Sequence, residues 1–197
     1  MKKATLCIAL ALTAACAGDP PPSPDLPQPA VPNLAGLDVM VLPAQPAPGG
    51  VPAGFDEALS ALLETEYDNV DWRLPGELVR AAARSPILDV DPRALSVSIL
   101  RNPEETHIRD PLLGDLRRLG GLVDARYAVV VYRVGYVVPA HSTIGQGRIE
   151  AAVAILDTVG GRILWRGLAA GERGPVGDEV ALATAVQNVA RLIGPAQ

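Results

Sequence analysis

The chain has 197 residues, of which 49% are hydrophobic and 20% charged, and it carries a formal net charge of −5 with two cysteines and two histidines. That length suits one buried core rather than two, and the negative balance repels phosphate backbones, which excludes nucleic acid as an expected partner. Two widely separated histidines without neighbouring cysteines fall short of the three or four ligands of a zinc site, so no metal and no cofactor is expected.

The amino terminus reads as an address. Lys2 and Lys3 precede an apolar run over residues 4–15, and small residues surround Cys16. This is the layout of a secretory signal peptide, and the run is too short to span a bilayer as a stable helix. Beyond Cys16 there is no lysine, and 15 arginines face 22 acidic residues, a net of −7.

The segment "LTAAC" resembles the lipobox of bacterial lipoproteins, with Thr13 where leucine is usual. The resemblance implies that Cys16 is lipidated, palmitate included, and becomes the new amino terminus. Ala17, rather than aspartate, follows it, which implies the outer membrane with the domain in the periplasm. The competing site is "ACA" over residues 15–17, an A-x-A sequence whose cleavage would leave a soluble periplasmic protein.

Seven of the 17 residues at positions 17–33 are proline. Proline lacks a backbone donor and fixes φ, so the segment is an extended spacer with a reach of about 50 Å. The expected organisation is therefore a signal over residues 1–15, a lipidated cysteine and Pro-rich tether over 16–35, and a single globular domain over 36–197.

Within that domain, "LDVMVLPA" (37–44) is an apolar run closed by proline, as in a buried strand. Phe55, Leu59, Leu62 and Leu63 share helical spacing through Glu66, with Asp56 and Glu57 in the favourable first turn. Val70, Trp72 and Leu74 alternate as a short strand stopped by Pro75, which then opens a helix through Arg84. Residues 91–100 combine a helix start at Asp91 and Pro92 with the alternating "LSVSIL", and the expectation is a short helix. Asp110 and Pro111 start a helix whose stripe is Leu112, Leu116, Leu119 and Val123, with Gly120 and Gly121 weakening its far end.

The last third predicts strands over residues 126–138, 145–157 and 162–171, joined by a loop holding Pro139 and His141 and by the turn "TVGG". Asp178 then opens a helix with Leu182, Val186, Val189 and Ile193 on one face, closed by Gly194 and Pro195. The fold class is thus α/β of the α+β kind: a mixed sheet ending in an antiparallel three-stranded meander, with helices packed on it.

An early strand ending in Leu-Pro, the long strand "DARYAVVVYRV" after a Leu-rich helix, and a strand pair turned at Asp157 and Gly160 with Trp165 following are similar to features of one broad group. These are the envelope lipoproteins with a domain like the amino-terminal part of TolB, including lipoprotein activators of penicillin-binding proteins and the curli-secretion lipoprotein. The usual aromatic soon after Leu-Pro is absent. The resemblance implies a protein that binds, or helps to assemble, another envelope component, and it implies no active site.

Three further constellations bear on chemistry. His141 and Ser142, with Asp157 ending the next strand, have the residue types of a hydrolase triad, but adjacent residues diverge and no nucleophile elbow accompanies them. "GQG" (145–147) precedes a strand rather than a helix and lacks a Lys-Ser/Thr pair, so it reads as a hairpin connection rather than a phosphate cradle. Arg133, Arg148, Glu150, Arg162 and Arg166 lie on meander strands as cross-strand neighbours, a patch suited to an acidic protein segment or anionic glycan. The expected function is a non-enzymatic, lipid-anchored envelope protein that binds through this patch. The alternatives are a periplasmic hydrolase using the His141 loop and a subunit of a secretion assembly.

Overall fold

The computed structural model describes residues 30–47, 50–138 and 145–194. The signal segment, Cys16, most of the tether, Pro139, His141 and Ser142 lie outside the described residues.

Five strands form one sheet in the order β2-β1-β3-β4-β5. They are β1 (Asp38–Val41), β2 (Asp71–Arg73), β3 (Tyr127–Val137), β4 (Gly147–Asp157) and β5 (Arg162–Gly174). β1 runs parallel to both β2 and β3, whereas β3, β4 and β5 form the antiparallel meander. The helices are α1 (Phe55–Glu66), α2 (Pro75–Ala83), α3 (Leu112–Val123) and α4 (Glu179–Ile193). The mixed sheet with a carboxy-terminal meander expected from periodicity is the architecture observed.

Alternation along the strands gives the sheet two apolar faces. One carries Val39, Val41, Val129, Val131, Val153, Ile155 and Trp165, and is closed by Phe55, Leu59 and Leu63 of α1 with Val186, Val189 and Ile193 of α4. The other carries Met40, Leu42, Ala128, Val130, Ala154 and Leu156, and is closed by Leu78 of α2 and Leu112, Leu116 and Leu119 of α3. Both helix stripes follow from i, i+3, i+4 spacing, which brings those side chains to one side of the cylinder.

Small residues let the helices come close. A Cβ on Gly171 of β5 would collide with the Ala181 carbonyl of α4 and press on Ala185, so glycine and alanine together set that helix-to-strand approach. Gly120 does the same for α3, since a Cβ there would lie 2.6 Å from the Ala125 carbonyl oxygen. The glycines expected to weaken the end of α3 are therefore inside it, and the helix runs on to Val123. Tight packing against the following turn outweighs their poor helix propensity of about 1 kcal/mol.

The middle of the chain departs from expectation. Residues 91–96 form no helix; short 3-10 turns occupy Pro86–Leu88 and Val97–Arg101 instead. The cause is Gln45, which is buried after β1 and donates from Nε2 to the Pro43 and Pro92 carbonyls while its Oε1 accepts from Leu95 N–H. A buried amide satisfied this way holds residues 92–95 by their backbone in a non-helical path.

Two carboxylates lock the frame. Asp157, at the end of β4, accepts from Nε and Nη2 of Arg126 at 3.0 and 2.9 Å, just before β3 begins. The bidentate Arg126 bond, joined by backbone N–H donors of Gly160 and Val159, holds its carboxyl down at about 2. Asp56 in α1 accepts from Ala44 N–H at 2.9 Å, and burial pushes its carboxyl above the ordinary value.

Candidate partner-binding surface

The two sheet faces are closed to different extents. The α1/α4 layer reaches along β3 and β4 as far as Val134, Tyr136 and Ile149, close to the hairpin end of the meander. The opposite layer stops at Tyr132 on β3 and Ala152 on β4. Beyond those residues the second face carries no helix among the described residues, and it displays Arg133, Gly135 and Val137 of β3, Arg148 and Glu150 of β4, and Leu168, Ala170 and Arg173 of β5.

Irregularities in the strands decide which side chains share that face. The β3–β4 register passes from Val131↔Val153 to Arg133↔Ala152, which makes Tyr132 an extra residue. A bulge of this kind reverses the alternation, turning Val134 into the α1/α4 core and Arg133 out onto the bare half. A second shift, from Ile155↔Trp165 to Leu156↔Ile163, makes Leu164 extra on β5. A third, between Arg148↔Arg173 and Glu150↔Ala170, brings Arg173 opposite Arg148.

Consequently the arginine set expected on one face is partly rearranged. Arg133, Arg148 and Glu150 do share the bare half. Arg162 does not: its neighbour Ile163 packs into the α2/α3 core, so Arg162 points to the other side, at the far end of the meander beside Asp157. The Leu164 bulge is the reason, because it breaks the period-2 link between positions 162 and 166. Arg166 lies on the expected side but is engaged within the chain, donating from Nη2 to the Glu105 carbonyl at 2.6 Å and from Nη1 to that of Pro103 at 3.3 Å. It fastens the 102–106 loop against β5 and marks the edge of the covered half. Arg173 is the member that periodicity missed, since β5 continues past Gly171 through an irregular pair.

Electrostatically the bare half is positive. Arg148 pairs with Glu150 at 2.7 Å, and no ion pair involves Arg133 or Arg173 among the described residues. Leu168, 69% exposed, and Val137, 40% exposed, add apolar area between the guanidinium groups. Arginine is enriched at protein–protein interfaces, and exposed apolar groups add area to such a surface.

The hairpin end has further structure on the α1/α4 side. The Tyr136 hydroxyl accepts from Gly147 N–H and donates to the Gly174 carbonyl, joining β3, β4 and β5. Beside it lies a cleft of about 440 Å³ lined in part by Pro52, Tyr136, Ile149, Pro175 and Leu182. His107 is on the surface at the opposite end, bonded through Nδ1 to Thr106 Oγ1 at 2.9 Å, with a backbone bridge to Arg162. Among the described residues no group of three or more His, Cys, Asp or Glu side chains is placed to hold a metal ion, and no helix is long and apolar enough to cross a membrane.

The geometry defines a three-layer α/β/α domain with one sheet half left uncovered. No protein-family model matches the chain, and no curated protein matches it in sequence. Solved structures do resemble it. The LpoB carboxy-terminal domain from Salmonella enterica aligns at 14% identity over 73% of this chain and 87% of its own, with a TM-score of 0.44. The lipoprotein GNA1162 from Neisseria meningitidis aligns at 13% over 80% and 97%, with a TM-score of 0.43. The PelC dodecamer from Paraburkholderia phytofirmans aligns at 13% over 86% and 93%, with a TM-score of 0.40. At such identities and TM-scores these likenesses carry no family, role or partner across to this chain.

Proposed function

We propose that the protein is a non-enzymatic, lipid-anchored component of the bacterial envelope whose domain binds another envelope protein through the bare half of its sheet. The observation that supports this most is the relation between that surface and the tether. Residues 30–37 approach the domain at the β1 start, where Leu34 is fully buried, Gly36 N–H donates to the Asn69 carbonyl, and Val39 pairs with Tyr127. The bare half begins at Arg133 and ends at Val137, Arg148 and Arg173, toward the other end of β3. Over the 11 residues of β3 the two ends are separated by about 30 Å. A proline-rich tether joined at one end of the domain thereby leaves the arginine face, at the other end, clear of the point of attachment.

The test has two arms in intact cells. The wild-type protein should fractionate with outer membranes, and Cys16→Ala should move to the soluble periplasm or fail to mature; a wild type already soluble and beginning at Gly18 means cleavage after Ala17 and ends the lipoprotein reading. His141→Ala/Ser142→Ala should keep the wild-type phenotype. Loss of the phenotype in a normally folded double variant would favour a periplasmic hydrolase.

A further inference from the structure

We infer that the bare half of the sheet is the seat of a single amphipathic helix from the partner, carrying carboxylates on the stripe that flanks its apolar ridge. This rests on the binding function proposed above and names the form and charge of what is bound.

Three observations converge on a helix. The same sheet face is roofed by α2, α3 and the Val97–Arg101 turn up to Tyr132 and Ala152, and then the roof ends. The uncovered part spans three strands, so about 10 Å separates its outer strand axes, and Arg133 to Val137 adds about 13 Å along them. One helix of about 10–12 Å diameter and two to three turns fills that area. Gly135 and Ala170 lie on either side of Glu150 in the register Gly135↔Glu150↔Ala170, so the middle of the surface is low on both flanks of one short carboxylate. Arg133, Arg148, Arg173 and Leu168 stand around that trough.

Charge selects the helix. Arg133 and Arg173 have no carboxylate partner among the described residues, whereas Glu150 is occupied by Arg148. Aspartates or glutamates at i and i+3 or i+4 of a docked helix project to one side of it and meet guanidinium groups in fork geometry, while Leu168 and Val137 meet its apolar ridge. A basic helix would face like charge, and an extended segment laid across the face would find no backbone ladder there, because strand N–H and C=O groups lie in the plane of the sheet and not on its face.

A benzophenone amino acid in place of Leu168 in the full-length, membrane-bound protein tests this, with the same probe at Val176 on the β5–α4 connection as the comparison. Illumination in cells should join position 168 to one envelope protein, and mass spectrometry of the joined peptide should show Asp or Glu recurring at three- to four-residue spacing beside apolar residues. A synthetic peptide of that sequence should become helical on binding and should bind Arg133→Glu/Arg173→Glu at least about tenfold more weakly than wild type, since charge-assisted bonds are lost. Capture of residues 17–29 of the same chain, of a second copy, of glycan, or of a segment without acidic helical spacing overturns the helix seat. A silent position 168 with a partner captured at 176 also overturns it, yet leaves a binding domain in place. Capture at neither position, with nothing crosslinked in a whole-cell pull-down, removes the binding function as well.

Discussion

The covered and bare halves of one sheet face share β3, β4 and β5 and differ in what they hold. The covered half is Met40, Val130, Ala154 and Leu156, packed under α2 and α3. The bare half, a few residues further along β3 and β4, is Arg133, Arg148 and Glu150 with isolated exposed apolar groups. Stability resides in the first and the proposed recognition in the second, because burial stabilises in proportion to apolar area removed from water, while exposed charges contribute little to folding. The sharpest contrast is between Leu116, fully buried, and Leu168, mostly exposed.

Leu116→Ala should therefore give the largest change, a loss of about 2–5 kcal/mol through the cavity left beneath α3, read as a lower urea midpoint. A loss below about 1 kcal/mol would mean that this layer is loosely packed and that the two halves differ less than their burial indicates.

Gly171→Ala comes next. A methyl group there meets the α4 backbone, and overpacking should cost about 1–3 kcal/mol in the same measurement. The α1/α4 layer extends to the hairpin end, so this substitution should also lower amide protection at Tyr136 and Ile149. Unchanged protection would uncouple α4 from that end of the sheet.

Acid should act on the strand-end lock rather than on either half. Asp157 is held at about 2 against an ordinary 3.8. A depressed carboxylate adds stability above its unfolded value that disappears as pH falls through the folded value, so the Asp157 contribution is full above about pH 4 and lost toward pH 2. Arg126→Gln should be less stable than wild type at neutral pH, and the difference should shrink over that window. A difference independent of pH would show that Arg126 acts by packing alone.

The smallest effects belong to the bare half. Leu168→Ala and Arg133→Glu should each change unfolding free energy by no more than about 0.5 kcal/mol. A substantially larger loss from either would mean that the surface is structural, contradicting the division between the halves.

Sequence alone determined the order and type of the main elements. The stripes Phe55–Leu59–Leu63 and Leu112–Leu116–Leu119 and the apolar strand runs each encode one buried face by local spacing, and the resulting mixed sheet with its meander is the one observed. The middle segment was not legible, because the residue that holds it, Gln45, lies some fifty positions away and acts through backbone groups that leave no pattern in side-chain type. The arginine surface was half legible for a similar reason. Arg133, Arg148 and Glu150 could be grouped from their strands, but period-2 alternation is exact only while both partners advance one residue at a time. The extra residues at Tyr132 and Leu164, and the irregular pair before Arg173, reset which way each following side chain points. Where a strand slips is decided by the packing of helices and neighbouring strands on it, so only the tertiary structure could send Arg162 to one side and bring Arg173 to the other.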